Sequence, residues 1–313
     1  MTSAPPLSRD EARALVTADL DTLLLEAGRA RQRRFGNRVH LCAITNARSG
    51  SCSEDCAFCA QSAHSRAASP AHAMRAADEL VRDAREADRQ CVSCFGMVTS
   101  GRAAVTGDER ARLLDALRTA RGSMRACVSA SIGALDDGII AALKDAGITR
   151  IHHNLETSRR FFPRICTTHS YDERLDTVRR ALAAGLDVCC GGLFGMGEEW
   201  DDRIDLAFEL RGLGIRSVPV NFLNPVAGTH LAAQPLLDPR EALRIIAVFR
   251  LILPDAHISV AGGRQVVLRD LQSWIFHAGA SGMMIGNYLT TAGRNVDDDL
   301  AMLADLGLEP EGK

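Results

Sequence analysis

Short β-like runs alternate with helical patterns along almost the whole chain, and this alternation limits the possible folds more than any other feature. The β-like runs lie at residues 40–45, 90–98, 125–130, 150–155, 187–192, 217–222, 257–262 and 282–286. Seven helical patterns separate these eight runs. Strands that alternate with helices form a parallel sheet, because each crossover returns the chain to the same end of the sheet. Eight such repeats predict a closed (β/α)8 TIM-type barrel, with a doubly wound open sheet as the second possibility.

The segment before the first run has a helical pattern of its own. Its apolar residues recur at spacings of three and four, which gives one apolar face: Leu15, Val16, Leu20, Leu23, Leu24 and Ala27. We expect residues 1–36 to form an N-terminal helical extension. Residues 37–313 should form a single barrel domain, because neither a composition break nor a long linker divides them. In such a barrel the chemistry lies at the carboxyl ends of the strands.

Ten cysteines are unusual in a chain of 313 residues that is long enough to bury a core without disulfides. The polar segment from Met1 to Arg9 does not resemble a secretory signal, and no run approaches the ~18 apolar residues of a membrane helix. We therefore expect a cytoplasmic protein with reduced thiols, which favours metal or redox chemistry. A net charge of −2 and 4% aromatic residues disfavour nucleic-acid binding and a polybasic membrane surface.

Three of the cysteines, Cys52, Cys56 and Cys59, form a Cys-x3-Cys-x2-Cys triplet directly after the first run. Three thiolates on one short loop can hold three irons of a 4Fe-4S cluster, which leaves the fourth iron open to a small molecule. A structural zinc site is less favoured, because no second pair of ligands follows at zinc-finger distance. Phe58 lies inside the triplet, where its ring can pack beside a bound cofactor or simply contribute to the core.

This triplet resembles that of the radical S-adenosylmethionine (SAM) superfamily, in which the open iron binds SAM and one-electron reduction releases a 5′-deoxyadenosyl radical. Further blocks resemble the biotin synthase family and occur in the family's order: residues 41–50 (LCAITNARSG), 60–62 (AQS), 153–157 (HNLET), 171–177 (YDERLDT), 218–222 (VPVNF) and 288–291 (YLTT). The resemblance implies a (β/α)8 enzyme, a radical SAM sulfurtransferase that inserts sulfur into dethiobiotin to form biotin. It also implies that an auxiliary iron–sulfur cluster supplies the sulfur.

The same resemblance implies roles for individual residues. The triplet corresponds to the ligands of the SAM cluster. The residues expected to contact SAM are Phe58, Glu156, Arg174, Gly192 and Gly195, and those expected to contact the substrate are His152, Asn154 and Asn221. Asn154 and Glu156 alternate along the predicted fourth strand, so their side chains should share a face. Structural roles remain open for three of these residues: a solvated helix charge for Arg174, an amide satisfied by backbone for Asn221, and a core position for His152.

The auxiliary cluster is where the chain departs from the family pattern. Better-known members hold a 2Fe-2S cluster with three cysteines and one arginine. Cys127 and Cys189 match two of those positions, whereas Gly96 stands at the expected cysteine and Ser259 at the expected arginine. Cys94 precedes Gly96 by two residues, so it should face the same side of its strand. We therefore expect an auxiliary cluster ligated mainly by Cys94, Cys127 and Cys189, either as 2Fe-2S or as a four-iron cluster.

Four cysteines are left over. Cys91 and Cys190 lie close to the proposed auxiliary ligands and are further candidates, although buried free cysteines often serve only as small hydrophobic residues. Cys42 and Cys166 have no thiol neighbours in the pattern, and we interpret both as packing residues.

Two other functions remain open. One is a different radical SAM reaction on the same barrel, of the methylornithine synthase or hydrogenase maturase type. The other is a non-catalytic iron–sulfur electron carrier or sensor. The implied partners are dethiobiotin, a flavodoxin or ferredoxin reductant, iron–sulfur assembly proteins and a second copy in a homodimer. Neither nucleic acid nor a membrane is an expected partner.

Overall fold

The computed structural model describes residues 7–103 and 105–312. Within them a parallel sheet closes into a barrel with eight strand positions, here called staves, one of which is formed by two short strands. In chain order the strands are β1 (Arg38–Arg48), β2 (Cys94–Thr99), β3 (Cys127–Ser131), β4 (Arg150–His152), β5 (Asp187–Cys189), β6 (Gly192–Phe194), β7 (Ser217–Phe222), β8 (His257–Val260) and β9 (Gly282–Met284). β1 pairs with both β2 and β9, which closes the ring. The predicted (β/α)8 barrel is confirmed, and the open doubly wound sheet is wrong.

Helical connections cover the outside of the barrel. They are α3 (Ala77–Arg89), α4 (Gly107–Ser123), α5 (Asp137–Asp145), α6 (Tyr171–Ala183), α7 (Trp200–Gly212), α8 (Pro239–Ile252) and α9 (Arg264–Leu268). Short 3-10 turns lie at Phe162–Arg164 and Arg269–Ile275. After the barrel, α10 (Val296–Asp305) leads to β10 (Glu309–Pro310), which pairs in parallel with the start of β1. None of the helices in the described ranges has the length and apolar character needed to cross a bilayer.

The N-terminal segment forms two helices where the sequence pattern predicted one. α1 (Arg9–Ala14) begins at Ser8, whose hydroxyl accepts from the backbone of Glu11, and α2 (Leu20–Phe35) begins at Asp19, which caps it in the same way. The second cap starts a new helix, so the apolar face is interrupted between the two. The division into an extension of residues 1–36 and a barrel domain of residues 37–313 stays a prediction, and residues 1–6 lie outside the described part of the chain.

The fifth stave is broken in the middle. β5 and β6 both pair with β7, at Cys189↔Ser217 and at Gly192↔Val220, so the two pieces keep one register across the break. Gly191 makes the break possible, because a Cβ there would lie 1.9 Å from the carbonyl oxygen of Pro219. Only glycine fits at this close approach of two backbones.

Candidate active site

A cavity of about 510 Å³ lies inside the barrel and opens toward the loops that follow the strands. Its wall brings together most of the residues that the sequence singled out: Cys52, Cys56, Phe58, Cys59, Cys94, His152, Asn154, Glu156, Arg174, Cys189 and Asn221. The lining does not include Cys91, Cys127, Cys190, Gly192 or Gly195.

The triplet lies on a loop that folds back on itself after β1. The backbone N–H of Cys52 donates to the carbonyl of Gln61 at 3.0 Å, and the N–H of Cys59 donates to the carbonyl of Cys56 at 2.9 Å. The loop is also fixed to the barrel, since the N–H of Ala57 donates to the carbonyl of Ile165 at 2.8 Å. These bonds hold the three thiols on one wall of the cavity. All ten cysteines lie in the described residues and are free thiols, so the triplet is available to metal.

Cys166 lies directly beside the triplet. Its Sγ is 3.9 Å from the Sγ of Cys56, 3.3 Å from Nδ1 of His169 and 3.3 Å from a carboxylate oxygen of Asp55. The contact with Cys166, together with burial, raises the pKa of Cys56. The interpretation of Cys166 as a packing residue without thiol neighbours is therefore wrong. The sequence does not show this contact because it joins two loops that are far apart along the chain.

Glu156, Arg174 and Asn154 form a connected polar group on the cavity wall. Nη2 of Arg174 lies 3.2 Å from a carboxylate oxygen of Glu156, and Nε of Arg174 donates to the backbone carbonyl of Asn154 at 2.6 Å. The side-chain oxygen of Asn154 accepts from the N–H of Gly191 at 3.0 Å. Burial raises the pKa of Glu156, and the charge of Arg174 opposes that rise. Arg174, whose side chain is 16% exposed, is thus a largely shielded partner in this group and not a solvated helix charge.

The predicted placement of Asn154 and Glu156 on the fourth strand is wrong, although their side chains do meet. β4 ends at His152, and Glu156 adopts φ +69°, a left-handed conformation that costs free energy for any residue other than glycine. The carbonyl of Glu156 accepts from the N–H of Leu193 at 2.8 Å, which fixes this turn against β6. A strained carboxylate in a cavity is typical of a functional site.

The two glycines that the resemblance assigned to SAM, Gly192 and Gly195, do not line the cavity. A Cβ at Gly192 would lie 2.6 Å from the carbonyl oxygen of Glu156, so this glycine allows the backbone approach that positions Glu156. Gly195 lines a separate outer cleft, and its N–H donates to the carboxylate of Glu198 at 3.0 Å. Within residues 192–198, the side chain that lines the cavity is that of Leu193, which the sequence reasoning missed.

Asn221 and His152 line the cavity from β7 and β4. The amide of Asn221 donates to the carbonyl of Gly192 at 3.1 Å and accepts from the N–H of Gly262 at 2.9 Å. One amide hydrogen and one lone pair remain for a ligand, because a primary amide has two of each. Burial, and then the charge of Arg174, lower the pKa of His152 to about 4, so its imidazole is neutral near pH 7.

A layer of thiols crosses the barrel at the inner end of the cavity. Cys42, Cys94 and Cys127 are direct register partners on β1, β2 and β3. A hydrogen bond with Cys127 lowers the pKa of Cys94 to about 6, although burial opposes this. Cys127 therefore contacts Cys94 without lining the cavity itself. The interpretation of Cys42 as an isolated packing residue is wrong, because the register of β1 and β2 places it beside Cys94.

Cys189 contributes to the same layer from β5. The hydroxyl of Ser217 donates to its Sγ at 3.3 Å, and burial raises the pKa of the thiol to about 11. Arg150 is the cation of this layer. Its guanidinium is anchored to Asp187 at 2.6 Å, and its charge lowers the pKa values of the surrounding thiols. Sequence reasoning missed Arg150, since arginine is so frequent in this chain that a single one attracts no notice.

Two further candidates for the auxiliary site do not reach the layer. Cys190 is fully buried in the hydrophobic core, because consecutive residues of a strand point to opposite faces and Cys189 points inward. Cys91 lies in the turn between α3 and β2 with φ +58°.

At the position of the expected arginine, the hydroxyl of Ser259 is buried at the cavity wall and has no hydrogen-bond partner among the described residues.

The barrel with a cysteine triplet at its mouth is that of a radical SAM enzyme. The family model described as the radical SAM superfamily matches residues 47–210, which contain the triplet, the Glu156 group and most of the thiol layer. A second family model, described as the biotin and thiamin synthesis associated domain, matches residues 219–309.

Curated relatives define the family more narrowly. A biotin synthase from Syntrophotalea carbinolica is 53% identical over 308 residues, which cover 97% of this chain and 94% of the relative. A biotin synthase from Geobacter sulfurreducens is 51% identical over 96% of this chain and 93% of its own length. The chain belongs to the biotin synthase family. This membership implies a 4Fe-4S cluster and SAM.

Solved structures share the fold at low sequence identity. A methylornithine synthase superposes with a TM-score of 0.85 at 19% identity, covering 98% of this chain and 95% of the other. An FeFe-hydrogenase maturase from Carboxydothermus hydrogenoformans superposes with a TM-score of 0.81 at 19% identity, covering 97% of this chain and 76% of the other. At these identities the likeness shows the fold alone.

Proposed function

We propose that this protein inserts sulfur into dethiobiotin to form biotin, as a radical SAM sulfurtransferase. One observation carries the proposal beyond family membership. A single cavity is bounded at its mouth by the triplet of Cys52, Cys56 and Cys59 and at its inner end by the thiol layer. A substrate held between the two faces a source of radicals on one side and a source of sulfur on the other.

The triplet fits the SAM cluster. Its three free thiols line an open cavity, and the loop that carries them contains no fourth cysteine, so one iron would remain for SAM. When bound, the cluster supplies the electron that cleaves SAM. The side chains around it orient SAM: Glu156 accepts from hydroxyl groups of the ribose, and Arg174 holds the carboxylate with a charge-assisted hydrogen bond. Phe58 packs at the cavity edge against the core.

The substrate side of the cavity suits the ureido ring of dethiobiotin, which has two N–H donors and a carbonyl acceptor. The spare amide hydrogen and lone pair of Asn221 match one acceptor and one donor of that ring. Asn154 and the neutral imidazole of His152 add polar contacts without a charge that would have to be desolvated. The three side chains therefore orient the ring toward the thiol layer.

The auxiliary cluster of this chain is ligated by Cys42, Cys94, Cys127 and Cys189, with Cys42 as a ligand that the sequence reasoning left out. Four thiols in one layer suit a four-iron cluster, whereas the 2Fe-2S form would use an arginine where this chain has Ser259. Arg150 supplies positive charge to the layer from β4 instead. That charge favours the thiolates that metal ligation requires.

The proposal extends to partners and location. A flavodoxin or ferredoxin would deliver the electron, iron–sulfur assembly proteins would load both clusters, and the protein would act as a cytoplasmic homodimer. Reduced thiols are retained in the cytoplasm, and ten free cysteines are consistent with that compartment.

The test is an assay of the anaerobically reconstituted protein with dethiobiotin, SAM and a reductant. We expect biotin and 5′-deoxyadenosine to form together. Formation of 5′-deoxyadenosine without biotin would overturn the substrate assignment while leaving the radical SAM chemistry in place. Absence of both products, with both clusters loaded and SAM present, would overturn the proposed activity as a whole.

A further inference from the structure

A group of metal-binding side chains lies at the amino end of the barrel, below the thiol layer. His40 on β1, His257 at the start of β8 and Glu311 just after β10 converge there. Nδ1 of His40 is 2.8 Å from one carboxylate oxygen of Glu311, and Nδ1 of His257 is 3.9 Å from the other. One ligand atom can be chosen from each residue so that all three lie within 4.8 Å of one another. These residues come from three separate parts of the sequence.

The group contains polar atoms that the protein does not satisfy. Nε2 of His40 and Nδ1 of His257 are buried, and neither has a hydrogen-bond partner among the described residues. The His40 side chain is only 9% exposed, and the two imidazole rings lie 5.0 Å apart. Buried polar atoms in native proteins are almost always paired with protein, water or an ion, so two unpaired nitrogens in one small group indicate a missing partner.

The charge state of the group suits a cation. Burial and the neighbouring His40 lower the pKa of His257 to about 4, so its imidazole is neutral and its lone pair is free near pH 7. Burial alone would raise the pKa of Glu311, but the hydrogen bond with His40 holds that pKa below its ordinary value. The side chain of Arg38 donates to the backbone carbonyl of Glu311, so this bond does not occupy the carboxylate.

We propose that His40, His257 and Glu311 bind one divalent cation of the zinc type. Two imidazoles and one carboxylate are a common ligand set for such ions, with water completing the coordination. The site is separate from the cluster thiols, although His40 precedes Cys42 by two residues and so lies one layer nearer the amino end on the same face of β1.

The cation would have a defined structural effect. Glu311 belongs to the C-terminal segment, which is attached to the barrel through the pairing of Arg38 with Glu309 and of Val39 with Pro310. An ion held by His40, His257 and Glu311 would connect this segment to β1 and β8. Because the unfolded chain does not present the three ligands together, binding stabilises the folded state.

Zinc content and ligand type test the site directly. The clusters of the protein are reconstituted first, so that the cluster thiols are occupied. The protein is then exposed to Zn²⁺, freed of excess metal, and measured by elemental analysis and zinc X-ray absorption. We expect about one zinc per chain, with only nitrogen and oxygen neighbours at about 2.0–2.2 Å. Sulfur neighbours at about 2.3 Å would place the zinc on cysteines and overturn the proposal.

Two matched variants locate the ion. Glu311→Gln keeps the size of the side chain but removes its charge. Glu309→Gln makes the same change two residues earlier, on an exposed side chain that forms an ion pair with Arg38. We expect at least tenfold weaker zinc binding in Glu311→Gln and unchanged binding in Glu309→Gln. Equal zinc content in all three proteins would overturn the assignment.

Thermal unfolding gives a readout that does not depend on catalysis. At free zinc near 100 times its Kd, the native protein and Glu309→Gln should gain about 4 °C in Tm, and Glu311→Gln should gain nothing. If Glu311→Gln proves too unstable to measure, His257→Gln replaces it, with the same expectation. A Tm that does not respond to zinc in the native protein would also contradict the proposal.

Discussion

The carboxylate of Glu156 and the guanidinium of Arg174 lie 3.2 Å apart, and Arg174 reaches the backbone of Asn154 at the same time. Arg174 therefore contacts two residues of the turn after β4, Asn154 and Glu156. This turn includes Glu156, whose backbone has φ +69°. That conformation is unfavourable for a residue other than glycine, and the ion pair helps to stabilise it.

Replacement of Arg174 by glutamine tests the importance of this ion pair for SAM. The change removes the partner of Glu156 and the charge proposed to hold the SAM carboxylate. We expect the Kd for SAM to rise about 10- to 100-fold, because hydrogen bonds to charged groups are worth about 1.5–3 kcal/mol. Equilibrium dialysis on the reconstituted protein measures this Kd.

The control is Arg180→Gln on the same helix. Arg180 is exposed and pairs with Asp176 at 2.6 Å, so its loss changes the net charge equally without touching the cavity. The Kd should stay within about twofold of the native value. A similar loss of affinity in both variants would mean that Arg174 acts only through the charge of the helix.

Gly191 should tolerate no side chain. In Gly191→Ala the added Cβ would lie 1.9 Å from the carbonyl oxygen of Pro219, so either β7 or the break in the fifth stave must move. We expect the free energy of unfolding to fall by about 3 kcal/mol, as for severe overpacking. Urea unfolding followed by circular dichroism measures the loss.

Gly122→Ala is the matched control for that change. Gly122 is the last residue but one of α4, and a Cβ there would have no atom of the described residues within 4 Å. Alanine should stabilise the helix by about 0.5–1 kcal/mol. If both variants lose stability to the same degree, the close approach at Gly191 is not the cause of its sensitivity.

The barrel and the triplet could be predicted because both signals are local. The alternation of strand and helix patterns can be recognised in short windows of sequence. Cys52, Cys56 and Cys59 are close together in the sequence and share one loop. The end of β4 could not be predicted in this way, since the left-handed turn at Glu156 depends on contacts with Leu193 and Arg174. Those contacts exist only after the staves have closed.

The thiol layer shows the same limit for the candidate site. Cys42 and Cys94 become neighbours only through the register of β1 and β2, which the pattern of either strand alone does not specify. Arg150 could not be predicted as a site residue for a different reason. The chain has 37 basic residues of which only Lys144 and Lys313 are lysines, so an arginine at the start of a strand carries little information.

Cys166 should influence the SAM cluster through its contact with Cys56. Its Sγ lies 3.9 Å from that of Cys56, whose thiol is the donor in this structure. Once Cys56 ligates iron as a thiolate it has no hydrogen to donate, and the S–H of Cys166 would be the donor instead. Hydrogen bonds to cluster sulfurs raise the reduction potential, so Cys166→Ala should lower it. A weak hydrogen bond worth about 0.5–1 kcal/mol corresponds to about 20–45 mV for a one-electron couple. A redox titration followed by EPR measures the shift. Cys190→Ala removes an equally buried thiol away from the triplet and should leave the potential unchanged.

Cys42→Ala tests the ligand set of the auxiliary cluster. If Cys42 is a ligand, the variant should lose part or all of the auxiliary iron and keep the iron of the SAM cluster, because the triplet lies at the other end of the cavity. We expect 5′-deoxyadenosine still to form and biotin formation to be lost. Iron and sulfide analysis with Mössbauer spectroscopy measures the first effect, and product analysis measures the second.

Cys91→Ala is the control for Cys42→Ala, since Cys91 lies in the turn before β2 and outside the cavity. This variant should keep the full iron content and the activity. Native iron content in Cys42→Ala would exclude Cys42 as a ligand and leave Cys94, Cys127 and Cys189 with Arg150. Loss of iron in both variants would mean that cluster assembly, and not ligation, responds to the removal of a cysteine near β2.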